Sequence, residues 1–365
     1  MIKVRAACAV LAATLAVSLC SLAVSWATVT PTPVMTGPLN QDFPGANLDW
    51  FAWDMNSKKK PHHYNVYAEP RSGGTPVKVN PKGTYAYHPD MQLGSNWVVY
   101  QQVNHTQTRS TIYAYNAASG SDHAFRIAGA AWKYWPVASS RYLVWMEIAR
   151  DSHYRTRRIL SVQDRVVGNT IQIASAPVKC GYCLQPDWAG QSHVVYTKCA
   201  KDTGVCNLSV WNADDGSVVH PPIDASPVSQ YGGALDEATM NLYYVRSTTH
   251  CGLNVSVERW DIDANPPVPP DAIYDEPEGI DMGRVRLAPD VLTPTDLDLF
   301  TVPYDCLASN PNTDIYLITS VNQIPTAPVG ASKSPQEAMG SAGSSSRSAH
   351  APRIASSEGS MAPSR

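Results

Sequence analysis

Six aromatic side chains and two guanidiniums stand where they could meet a ligand together: Tyr85, Tyr87, Trp132, Tyr134, Tyr182 and Tyr231, then Arg284 and Arg286, with Lys133 among them. Each group lies shortly before a compact apolar run, so the set is spread along the chain at repeat-like intervals. Aromatic faces stack on sugars or hold an extended peptide, and guanidiniums take carboxylates in a planar fork. The chemistry expected of such a set is recognition of a glycan, an acidic oligosaccharide or a protein segment. The competing role for any one ring is packing between neighbouring sheets.

Signatures of catalysis are missing. The chain has no Gly-x-Ser-x-Gly elbow, no His-Glu-x-x-His and no phosphate-cradling glycine loop. The Ser-x-Asp-x-Gly-x-Thr-Trp box of sialidase-type propellers is missing too. Asp261, Asp263 and Asn265 copy the first half of a calcium loop, but the glycine and closing glutamate do not follow, so a turn is expected there. His62, His63 and His88 with Glu69 offer metal or acid–base chemistry near one place. Adjacent residues of a strand point to opposite faces, however, which separates His62 from His63. No catalytic residue, metal or cofactor is assigned.

Positioning these residues requires a scaffold, and the stretch QPDWAGQSHVVYTKCAKDTGVCNLSVWNADDGSVVHPP, from Gln185, shows what it is. Short Val-, Tyr- and Trp-rich runs separated by Gly, Asp and Asn are antiparallel strands joined by hairpins. The apolar run recurs as FAWDM from Phe51, WVVYQ from Trp97, YLVWM from Tyr142, HVVYT from His193, NLYYV from Asn241 and LDLFT from Leu297, with starts about 45 to 56 residues apart. A partner strand follows each: YNVYAEP, TIYAYN, RRILSVQD, CNLSVWN, VSVERWD and DIYLITS. That period is one four-stranded blade, and six copies predict an all-β, six-bladed β-propeller of four-stranded antiparallel blades.

Composition agrees. A chain of 365 residues that is 44% apolar can build a large core, and its 18 Tyr and 10 Trp against 4 Phe suit strands with apolar bodies and wet tips. A net charge of −3 and no basic run longer than Lys58-Lys59-Lys60 argue against a nucleic-acid surface. Residues 1–27 read as a signal peptide, with Lys3 and Arg5 ahead of an apolar stretch and Ser25-Trp26-Ala27 at the cleavage site; Cys20 stands after Leu19, where a lipobox wants a small residue. No later stretch is long and apolar enough for a membrane span, and a secreted or periplasmic monomer is expected.

The six cysteines past that segment fit an oxidising compartment. Cys199 and Cys206 face each other across a hairpin and are expected to bond, Cys251 and Cys306 occupy equivalent loops of the fifth and sixth blades, and Cys180 and Cys183 remain as a tight structural bridge. A CxxC pair also admits redox or zinc chemistry. Residues 28–48 are Pro-rich and include a short piece near Val34-Met35 suited to closing the ring; 49–324 form the propeller; 325–365, rich in Ser, Ala and Pro, form a disordered tail.

Pro186-Asp187-Trp188-Ala189 ahead of His193-Val194-Val195-Tyr196-Thr197 resembles the repeat of the TolB-like six-bladed propellers, whose blades carry a Pro-x-Trp-Ser-Pro-Asp-Gly corner before the same strand. Weaker copies stand at Tyr87-His88-Pro89-Asp90, Tyr134-Trp135-Pro136-Val137 and Leu287-Ala288-Pro289-Asp290, so the resemblance covers roughly residues 45–320. The segment before Phe51 leaves no room for the α/β domain that precedes the propeller in TolB itself, so the resemblance implies the fold and not that protein's role. On this fold, residues 83–87, 131–135, 180–184, 229–232 and 282–287 are expected as innermost strands lining a channel. A protein or glycan would then bind at one mouth. One alternative is an enzyme similar to oligogalacturonate lyases, with Arg284 and Arg286 on uronate carboxylates beside a metal; another is an envelope scaffold.

Overall fold

The computed structural model describes residues 30–321, apart from 37–38, 58–59, 93–94, 126, 128–131, 152, 181–182, 223–227, 249–254, 277–279, 290–295, 306–312 and 320. Residues 1–27, expected as a signal peptide, 325–365, expected as a tail, and Cys251 and Cys306 therefore lie outside the described residues. Twenty-four strands form six four-stranded sheets. β1 (Thr32–Met35) comes first in the chain but belongs to the last sheet. Blade 1 is β2 (Gln41–Ala46), β3 (Trp50–Ser57), β4 (Lys60–Pro70) and β5 (Val77–Lys78). Blade 2 is β6 (Tyr85–Met91), β7 (Trp97–Val103), β8 (Ser110–Asn116) and β9 (Ser121–Ala124); blade 3 is β10 (Lys133–Ala138), β11 (Tyr142–Arg150), β12 (Thr156–Asp164) and β13 (Thr170–Pro177). Blade 4 is β14 (Leu184–Ala189), β15 (His193–Cys199), β16 (Cys206–Asn212) and β17 (Val218–Val219); blade 5 is β18 (Ser229–Asp236), β19 (Asn241–Ser247), β20 (Val255–Asp261) and β21 (Asp271–Asp275). Blade 6 is β22 (Ile280–Pro289), β23 (Leu297–Asp305) and β24 (Ile315–Ile318), completed by β1. All neighbours within a blade are antiparallel, and the innermost strands touch in ring order from β2 round to β22.

The repeated apolar runs are the second strands, β3, β7, β11, β15, β19 and β23. Each is sandwiched between adjacent blades and so buried on both faces, which is why its sequence is continuously apolar rather than alternating. Leu242, Tyr243, Tyr244 and Val245 are all fully buried, as are Tyr100 and Leu143. Among the described residues no helix is long and apolar enough to cross a membrane.

The corner motifs sit elsewhere than expected. They lie inside the innermost strands, at a bulge where two residues oppose one of the second strand, or in blade 4 one residue opposes none: after Asp42, Tyr87, Tyr134, Pro186, Tyr231 and Met282 in blades 1 to 6. The innermost strands accordingly start later than expected or run further, so that only Leu184 of 180–184 belongs to β14. At the bulge Phe43, His88, Trp135 and Gly232 adopt positive φ of 51°, 53°, 50° and 63°. Pro44, Pro89 and Pro136 follow three of them, removing an N–H that the interrupted ladder could not use. The blade 6 copy of the motif at Leu287–Pro289 is out of phase; the bulge there is Gly283-Arg284. Blade 1 takes its innermost strand from the Pro-rich segment, because Phe43-Pro44 is such a bulge and not a loop.

Two fastenings close the ring. β1 pairs with β24, Thr32 opposite Leu317, and Arg71, after β4, crosses the seam between blades 1 and 6. Its guanidinium pairs with Asp298 of β23, donates to the carbonyls of Asn47 at 2.9 Å and Pro289 at 2.5 Å, and lies 5.3 Å over the Phe300 ring.

Blades 4 and 5 are clamped on the far face. Glu237 accepts from the amides of Gln191, Ser192 and His193 at 2.7, 2.8 and 2.9 Å and from the Ser192 hydroxyl at 3.1 Å, and lies 3.1 Å from His193 Nδ1. Burial alone would raise its carboxyl; these donors outweigh that and hold it at about 2. A carboxyl held below its unfolded value of 4.5 contributes stability that is complete above pH 5 and is lost as pH falls toward 2. Glu237→Gln is expected to cost about 1–2 kcal/mol at pH 7, and the gap in melting temperature between the variant and the parent chain should close as the pH is lowered through 4 to 3. A gap that stays constant with pH would show that the charge is not what clamps the turn.

Candidate functional site

The six bulges meet at the axis, and they fill it. Phe43 packs edge-on against His88, with ring centroids 4.1 Å apart, and His88 against Trp135 at 5.5 Å. The Trp135 indole N–H donates to His88 Nε2 at 2.7 Å, so the ring's proton resides on Nδ1, 3.2 Å from the Gln101 carbonyl oxygen. His88 is thereby neutral, in keeping with a pKa drawn well down by burial and by the charge of Arg284. Arg284 closes the circuit, 5.1 Å over the Phe43 ring and 3.4 Å from Asp187 of blade 4. Side chains from the bulges of blades 1, 2, 3, 4 and 6 are thus linked into one layer.

Arg284 and Arg286 both lie deep in the ring. They are 5% and 2% exposed. Arg284 also donates to the Pro186 carbonyl at 3.2 Å, and Arg286 lies 3.3 Å from Asp90, whose other oxygen accepts from the Ala138 amide. Burial and the like charge of Arg286 draw Arg284 downward while Asp187 opposes them; a guanidinium with a carboxylate partner stays charged. Arg284 meets the cleft only as a guanidinium already paired with Asp187, and Arg286 is not among the residues lining it.

Above this floor, on the face where the innermost strands begin, blades 4, 5 and 6 enclose a cleft of about 730 Å³. Its base is Asp187, Thr197 and Arg284. Thr197 donates to Asp187 at 2.5 Å and accepts from the Gly232 amide at 3.1 Å, and burial, only partly offset by Arg284, lifts the Asp187 carboxyl to about 6. One wall is Tyr231, whose hydroxyl donates to Asp281 at 2.8 Å, with Ser247 and Thr248 behind it. The opposite rim is the β15–β16 loop around Thr203. Cys199 and Cys206 stand directly opposite each other at its base and form a disulfide. Cys180 and Cys183 form the second disulfide just before β14, and the Cys199 amide donates to the Cys183 carbonyl at 2.9 Å. Both pairings match expectation and brace the rim.

The aromatic residues form an arc on the same face over blades 1 to 3. Trp132 and Tyr134 stack on each other at 5.9 Å, half-buried. Tyr85 lies between His63, at 3.9 Å, and His105, at 6.0 Å, while Tyr87 meets Tyr64 at 5.7 Å. Tyr85 and Tyr87 therefore share the blade 1–2 seam with residues of β4. Burial first, then the charge of Asp54, raises the Tyr87 hydroxyl to about 12. Tyr182 lies outside the described residues, as does the His62 side chain. Lys133 is buried, and that burial lowers its amine against the pull of Glu147. Asp261 accepts from the Asp263 amide at 3.0 Å, making the turn expected there. Among the described residues no three His, Cys, Asp or Glu gather as a metal set.

Sequence inspection missed the hydroxyls around the cleft, Thr203 in the β15–β16 loop and Ser247 and Thr248 at the end of β19. It also missed Asp42, Asp54 and Tyr64 in blade 1. A signal existed: an aromatic-Pro step marks the bulge in blades 1, 2 and 3 and a Gly-Gly step in blade 5.

No protein-family model matches the chain, and no curated protein matches it. Solved structures similar to it include TolB from Acinetobacter baumannii (12% identity, TM-score 0.47, 74% of this chain and 63% of that one). Others are an oligogalacturonate lyase in complex with manganese (12%, 0.47, 80% and 96%) and a putative TolB from Agrobacterium tumefaciens (14%, 0.48, 66% and 82%). The chain thus spans less than two thirds of the Acinetobacter TolB.

Proposed function

We propose that this propeller is an exported, secreted or periplasmic, binding protein whose cleft over blades 4 to 6 takes a neutral glycan, with the aromatic arc of blades 1 to 3 holding the rest of an extended chain. The observation that carries the reading is the lining. Among the described residues the cleft offers hydroxyls, carboxyls and one tyrosine beside apolar surface from Val205, Met282 and the Cys199–Cys206 disulfide, and its guanidinium is already paired with Asp187. Such a mixed surface suits a neutral polyhydroxylated ligand better than an acidic one, since sugar hydroxyls both donate and accept and sugar C–H faces lie on apolar surface. The two disulfides support export to an oxidising compartment.

A glycan array probed with the full chain tests this. Thr203 is exposed and Trp132 half-buried, so Thr203→Trp, which crowds the rim, and Trp132→Ala, which removes a stacking face, should leave the fold intact. Each is expected to weaken retention at least tenfold, roughly 1.4 kcal/mol, with the melting temperature unmoved. Retention unchanged in both variants, or absence of any glycan hit alongside capture of a defined protein ligand, would replace this reading.

A further inference from the structure

A second polar cluster, apart from the cleft, lies in blade 1. Asp42 and Asp54 stand directly opposite each other on β2 and β3, and Asn56, two residues beyond Asp54, falls on the same face of the sheet. Asp54 is 1% exposed. Its Oδ2 accepts the His88 amide at 2.8 Å. Its Oδ1 and the Asn56 Oδ1 are buried and accept no hydrogen bond among the described residues.

The groups facing the pair do not remedy this. The Tyr64 hydroxyl bonds to Asp42. His88 is neutral, with both ring nitrogens engaged. Arg284 senses Asp54 but is paired with Asp187, and Tyr87 adds no positive charge. Among the described residues Asp54, Asp90 and Asp187 share the two guanidiniums of Arg284 and Arg286, and Asp42 adds a further carboxyl beside Asp54, an excess of carboxyls in a low-dielectric interior.

A single proton shared between the two carboxyls would leave the Asn56 oxygen unsatisfied, and a water would donate two hydrogens without offsetting the charge. A hard cation serves all three oxygens at once. Two carboxylates with neutral amide and hydroxyl oxygens are the ligand set of calcium, which accepts six to eight oxygens in loose geometry, whereas magnesium demands a tighter octahedron. We propose that Asp42, Asp54 and Asn56 bind a calcium ion at the inner end of blade 1.

The test uses the full chain freed of metal with EGTA. Added calcium chloride is expected to raise the melting temperature by roughly 5 °C once it reaches a hundred times the dissociation constant. Terbium should give emission on tyrosine excitation, because Tyr64 and Tyr87 adjoin the site, and calcium should quench it. Asp54→Asn, which lessens the charge excess, is expected to remain folded in EGTA and to lose both responses. A parent chain that shows neither response, or an Asp54→Asn chain that responds equally, overturns the proposal whatever the glycan array reports.

Discussion

Arg71→Ala is expected to lower the free energy of unfolding by about 3–5 kcal/mol, because it breaks a buried ion pair with Asp298. The pair is 7% and 4% exposed, and the same guanidinium serves two carbonyls and a phenyl face. No other described contact crosses from the β4–β5 turn of blade 1 to β23 with a charge. Urea unfolding should show the midpoint moving to lower concentration with an unchanged slope. Arg71→Ala combined with Asp298→Ala should lose less than the sum of the single changes, since each single change breaks the same ion pair. A midpoint that stays put in Arg71→Ala would show that the β1–β24 pairing alone holds the seam.

Gly232→Ala should have the next largest effect. Gly232 has a φ of +63°, and a Cβ there would lie 2.7 Å from the Arg284 Cα, a main-chain atom that cannot swing aside. The left-handed conformation costs alanine about 1 kcal/mol, and forcing an atom into this contact adds roughly 1–3 kcal/mol. Gly216→Ala is the matched control: its φ is +74°, yet a Cβ there meets nothing within 4 Å, so only the conformational cost should appear. Because Gly232 lines the cleft and abuts Arg284, the same change should also displace the cleft floor and weaken glycan retention. Equal losses in the two variants would mean that the axial layer yields without strain.

The second and third strands of every blade were legible because burial between blades imposes one rule on all of them: Phe51, Trp97, Tyr142, His193, Asn241 and Leu297 each begin a run that the structure places as expected, within a residue or so. The innermost strands were less legible since the bulge breaks their two-residue alternation, so Tyr87-His88-Pro89-Asp90 read as a corner. The arginines were illegible for a different reason. Arg284 has its carboxylate 97 residues away in Asp187, and nothing local distinguishes a cation that faces solvent from one paired across the ring. The hairpin disulfide was visible because Cys199 and Cys206 share one hairpin, where short separation fixes the geometry.

The pairing of Thr32 with Leu317 sets an order of events. The earliest strand to emerge during synthesis is the last to find its neighbour, and until β24 exists its edge stays open while five blades assemble beside it. Contacts that span the whole chain are slow to form, so any shortening that removes Ile315–Ile318 should leave an unjoined crescent with two adhesive borders instead of a ring.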